Sequence, residues 1–128
     1  MGDKITIDGN IQNSILNIKS TLTNVQQSVG SIPTGDEAAR QELQALIEQL
    51  GQALEKVPDK KKEQAEAVAV SAQTLVETAK AEKPNKTLLQ ISSEGLKKAA
   101  ETLTDVAPAV VGIAGQVIAL VMRMKGLT

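Results

Sequence analysis

The chain has 128 residues, 14 basic against 15 acidic side chains for a net charge of −1, and no Phe, Trp, Tyr, Cys or His. Without Cys or His there is no disulfide, no thiolate, no common zinc or copper site and no nucleophile–His pair. Without aromatics there is no platform for stacking bases, and charge this evenly spread forms no face for DNA.

What remains is 41% hydrophobic, mostly Ala, Val, Leu and Ile, the material of packed helices. A chain of this length is expected to form a single helical domain over residues 1–128. It can bury roughly 65–70% of the surface its unfolded form exposes, so it needs no staple.

Met1 to Asn10 is polar and lacks the apolar h-region of a signal peptide. Within residues 4–13, Ile5 and Ile7 alternate with Thr6 and Asp8, and Asp8-Gly9 is a turn signal. The pattern predicts a short extended or β segment, a small hairpin closing near Ile11 that must pack on the helices to persist.

Ile11, Ile15, Ile18, Leu22, Val25 and Val29 then follow at alternating steps of four and three, which is a helical stripe. Asn10 or Asn13 is placed to cap it. The rest of this segment is Asn, Ser, Thr and Gln, poor helix formers, so tertiary packing must hold it helical. The alternative for so uncharged a surface is β self-assembly.

Gly30, Pro33 and Gly35 form a loop, and Thr34-Gly35-Asp36-Glu37 reads as a capping box with Thr34 as cap and Glu37 reaching back. The helix it opens runs to about Val57. Ala39, Leu43, Leu46, Leu50, Ala53 and Val57 face inward, and Ile47 and Leu54 widen the stripe. Gly51 lies on its flank, where a neighbour can approach closely.

Pro58-Asp59 restarts the chain, and Lys60, Lys61 and Lys62 read as a solvated helix start beside Asp59 and Glu63. The stripe of the third helix is Ala65, Val68, Ala72, Leu75 and Ala79, with Ala69 and Val76 beside it, and Lys83-Pro84-Asn85 ends it.

From Thr87 to Met124 one heptad register runs unbroken: Leu89, Ser92, Leu96, Ala99, Leu103, Val106, Val110, Ile113, Val117, Leu120, Met124. A single straight helix there would span ~57 Å, against ~33–36 Å for its neighbours. Pro108 removes a hydrogen bond and clashes with the carbonyl of Thr104, which predicts a kink near Thr104–Pro108. Asp105 is placed to cap the restarted half. With no loop residues between the halves, a full reversal is not expected. The fold class is therefore all-α: an antiparallel four-helix up-down bundle with a long, kinked last helix.

Two features of the last half bear on function. Val110, Ile113, Val117 and Leu120 form an apolar tail in a segment where Gln116 is the one strongly polar residue from Val106 to Met122. Pro108, Gly112, Gly115 and Ala119 share one face, and small residues on a face let another backbone come close. That contact is either an intramolecular crossing or an interface.

Chemistry is absent by the same reading. Gly112-x-x-Gly115 lies inside a helix with no strand before it, so it is no dinucleotide fingerprint. Glu63 with Glu66, and Glu77 with Lys80, read as solvated charge at helical spacing. A di-metal carboxylate bundle needs Glu-x-x-His, and the chain has no His. No catalytic residue, cofactor or metal is expected.

Two stretches resemble a known group of proteins. They are Lys4-Ile-Thr-Ile-Asp-Gly-Asn-Ile with Asn17-Ile-Lys-Ser-Thr-Leu-Thr-Asn-Val, and Gly95-Leu-Lys-Lys-Ala-Ala with Val106-Ala-Pro-Ala-Val-Val. They resemble small helical modules of bacterial conflict and signalling systems, found alone or attached to signalling ATPases, TIR domains or caspase-like proteases. The resemblance implies an adaptor, oligomerisation or membrane-disrupting role in bacterial immunity, and carries over no catalytic residue.

The expectation is thus a cytoplasmic, non-enzymatic protein-interaction or self-assembly module. Its partner is protein, a second copy in a homo-oligomer or a signalling partner, and not nucleic acid. The alternative is a membrane-associated, pore-forming effector whose apolar C-terminal helix inserts into a bilayer.

Overall fold

The computed structural model describes residues 2–33, 36–83 and 85–126, with side chains from residue 15 onward. Its elements are α1 (Gly2–Val29), α2 (Glu37–Glu55), a 3-10 turn (Asp59–Lys61), α3 (Lys62–Ala79), α4 (Lys86–Glu101) and α5 (Pro108–Met124). Among the described residues there are five helices and no strand.

The predicted stripes are the core. Ile18, Leu22, Val25 and Val29 of α1 are buried with Ala39, Leu43, Leu46, Ile47, Leu50 and Leu54 of α2 and the whole predicted stripe of α3. Ile32, in the loop after α1, joins them.

Three local expectations change. The backbone of residues 2–10 is helical, not extended, so neither Asn10 nor Asn13 caps α1. Once Ile15–Val29 is held by packing, extending the helix backward adds a hydrogen bond for each residue fixed, and a two-residue alternation is too short to compete. Thr34 lies outside the described residues. The N-cap of α2 is Asp36, whose Oδ1 accepts from the Ala39 amide at 2.9 Å, while Glu37 pairs with Arg40. Lys62 is buried rather than solvated: its ammonium donates to the carbonyls of Glu55 at 3.0 Å and Leu54 at 3.4 Å. The C-terminal carbonyls of α2 have no partner within their helix and form the negative end of its dipole, which suits a cation.

The largest correction concerns the last third of the chain. There is no long kinked helix; α4 ends at Glu101, residues 102–106 are turns, and α5 starts at Pro108. The end of α4 is tightened by i→i+3 bonds from Leu103 to Ala100 and from Thr104 to Glu101. The hydroxyls of Thr102 and Thr104 also bond the carbonyls of Ala99 and Glu101 at 2.6 and 2.7 Å. Ala107, held out of the α region by the proline ring, has φ −150° and ψ 68°. Pro108 occupies the first turn of α5, where its missing N–H is no loss, and Asp105 does not cap it.

The chain then reverses. Met122 near the end of α5 shares a groove with Thr87 and Gln90 at the start of α4, and the Lys125 ammonium donates to the Ala81 carbonyl just before α4 at 3.0 Å.

Side-chain pairs fix the other directions. Lys19 with Glu55 sets α1 antiparallel to α2, Thr78 with Ser92 sets α3 antiparallel to α4, and Arg123 with Glu42 sets α5 antiparallel to α2. Asn17 with Glu66 and Ser28 with Glu77 share a sequence offset of 49, so α1 and α3 run parallel.

The extended helix contacts close a ring in the order α1, α3, α4, α5, α2. Five helices that alternate in direction along the chain cannot all alternate around a closed ring. One neighbouring pair must run the same way, and here it is α1 and α3. The offset also sets residue 13 level with Lys62, so residues 2–12 of α1 run past the start of α3.

Candidate interaction surface

Helix α5 is apolar nearly all round, yet only one side of it is core. Val110, Ala114, Val117, Leu120 and Val121 are buried, and Val111, Ile113, Ile118, Met122 and Met124 are half-buried. The predicted tail of Val110, Ile113, Val117 and Leu120 therefore packs within the ring, against α2 and α4. At its C-terminal end, α5 is tied down by the Arg123–Glu42 pair at 3.4 Å and the Lys125–Ala81 bond. Burial pushes the Lys125 ammonium pKa down, and Glu82 offsets part of that.

Pro108, Gly112, Gly115 and Ala119 are brought together on the opposite side and are all exposed. A Cβ added at Gly112 or Gly115 meets nothing within 4 Å. The intramolecular crossing expected there does not occur, and this face is open. The close approach occurs at Gly51 instead, where an added Cβ would lie 3.2 Å from Leu22 Cδ1.

A second uncovered surface was not foreseen. On α4, Leu88 and Ile91 are 52% and 61% exposed, and Gly95 beside them has open space. Ile91, Ser93, Gly95 and Met122 share a shallow groove of about 670 Å³. Ser93 Oγ is buried there and has no hydrogen-bond partner among the described residues. The available signal was Leu88 and Ile91 at i,i+3 spacing, off the Leu89–Leu96 register.

Among the described residues no group of three or more acidic, His or Cys side chains is placed to hold a metal ion. Glu77 accepts from the Ser28 hydroxyl at 2.7 Å and from Lys80 at 3.4 Å. The Ser28 bond holds its pKa below the usual carboxylate range, against a desolvation effect that raises it, with Lys80 lowering it further.

Comparison with known proteins finds no family model, no curated protein and no solved structure that the chain matches.

Proposed function

We propose that this protein is a non-enzymatic interaction module that assembles with a second copy of itself or with a signalling protein, in the cytoplasm. The observation that carries this reading is the outward side of the α4–α5 hairpin. It presents Leu88, Ile91 and the uncharged Pro108–Ala119 face to solvent while the rest of α5 serves the core. Exposed small and apolar residues on adjacent helices are suited to close helix–helix contact, and a surface of this kind marks an interaction site. The resemblance to bacterial conflict modules gives the reading its setting in immune signalling.

The competing reading is a pore-forming effector whose α5 inserts into a bilayer. Among the described residues no helix is long and apolar enough to cross a membrane. Insertion would also require α5 to leave its contacts with α2 and α4.

Light scattering across a concentration series, with and without detergent, separates the two readings, together with leakage from anionic liposomes. Concentration-dependent mass without lipid supports the module. A monomer that makes liposomes leak at high and low salt alike overturns it in favour of the effector.

A further inference from the structure

We propose that the second copy in the reading above docks through α4, the two α4 helices crossing antiparallel about a two-fold axis at Gly95. The inference rests on that reading and names the contact and its partner.

Gly95 is where two helices can come closest. It lies in the interior of α4 and is exposed, and a Cβ added to it meets nothing within 4 Å. A glycine inside a helix weakens it, and no neighbour in this chain takes the space it leaves. Ile91 precedes it by one turn and Leu88 by two, both exposed and on the same face. Each copy thus offers a vacancy at Gly95 beside the projecting side chains of Ile91 and Leu88.

Charge supplies the partner and the direction. Glu94 and Lys98 are exposed and lie along one edge of this face, one turn apart. The order Glu-x-x-x-Lys favours pairing within a helix, yet among the described residues neither forms an ion pair. An antiparallel two-fold at Gly95 keeps this edge on the same side in both copies and sets Glu94 of one level with residue 96 of the other. Glu94 then stands two residues, ~3 Å along the axis, from Lys98 of the second copy. Symmetry repeats the pair, so all four charges are matched. Ile91 falls beside the aliphatic stem of the second copy's Lys98. A parallel pairing would set Glu94 beside Glu94 and Lys98 beside Lys98. The Pro108–Ala119 face of α5 carries no charge that could set a register.

Charge variants of the full-length chain test the pairing. Glu94→Lys puts two Lys on the edge, and Lys98→Glu puts two Glu there. Mass is read by light scattering across a concentration series. Each variant alone should lose the mass increase that wild type shows, because like charges then meet across the axis. An equimolar mixture of the two should regain it, since every Lys of one copy faces a Glu of the other. The swapped variant Glu94→Lys/Lys98→Glu should assemble alone.

Single variants that assemble as wild type does overturn the α4 contact and leave the self-assembly reading standing. So does a mixture that stays monomeric where wild type assembles. Wild type that remains monomeric at every concentration overturns self-assembly itself, and the α4 contact with it.

The chain has no cysteine, so a single one introduced reports on the axis. Gly95→Cys, oxidised mildly after assembly, should give a two-chain disulfide band on a denaturing gel, and Gly115→Cys on α5 should not. A two-chain band from Gly115→Cys alone overturns the α4 contact and moves the interface to α5.

Discussion

Ser28 on α1 donates to Glu77 on α3 at 2.7 Å, and Asn17 repeats the bond to Glu66 at the same offset of 49 residues. The two bonds are three helical turns apart. They set the register of the one parallel pair in the ring, a contact that Ala- and Val-rich faces alone would leave free to slide.

Replacing Ser28 with Ala should therefore cost about 0.5–1.5 kcal/mol, the net contribution of one hydrogen bond. The loss should depend on pH. The folded-state pKa of Glu77 is lowered, so its stabilisation is full above the unfolded carboxylate pKa and is lost as pH falls through the folded value. Urea melts of wild type and Ser28→Ala should differ at pH 7 and converge as the medium becomes acidic. A difference that is the same at both pH values would count against the Glu77 bond as its source.

Lys62 gives a second test. Lys62→Met keeps the aliphatic stem but leaves the Leu54 and Glu55 carbonyls without their ammonium donor. The Leu54 carbonyl keeps the Val57 amide at 3.2 Å, so the Glu55 carbonyl is the acceptor that loses its donor. Loss of that charge-assisted bond should cost about 1.5–3 kcal/mol, and the midpoint of a urea melt should fall accordingly. An unchanged midpoint would mean that water replaces the ammonium without loss.

The apolar stripes were legible in the sequence because burial follows periodicity. Ile18, Leu22, Val25 and Val29 are buried as read, and even the heptad positions across Pro108 are buried or half-buried. Periodicity records which face points inward but not which way the helix runs, so Val110–Met124 kept phase with Leu89–Leu103 while the chain reversed. The turn was hidden because Thr102 and Thr104 act through hydroxyl bonds to the backbone and need no Gly. The same blindness applied to Lys62, whose environment is set by the end of a different helix. It applied also to Gly112 and Gly115, since small residues look alike whether a neighbour or solvent lies above them.

The glycines separate these cases experimentally. Gly51→Leu forces atoms into Leu22 and should destabilise by about 1–3 kcal/mol. Gly115→Leu meets open space and should leave the monomer as stable or gain about 0.5–1 kcal/mol of helix preference. Thermal melts of the two variants should move in opposite directions or by very different amounts. If the Pro108–Ala119 face is the interface, Gly115→Leu should lower the mass measured by light scattering at high concentration.

The central claim is that α5 is a structural member of the ring. Val110, Val117 and Leu120 are buried, and each such side chain contributes about 1.5–3 kcal/mol, a large part of the roughly 5–15 kcal/mol that holds a domain. The most direct measurement is a circular dichroism melt of a chain ending at Asp105. Loss of the cooperative transition, or aggregation, is the expected result. A truncated chain that stays helical and melts cooperatively would contradict the placement of α5 in the core.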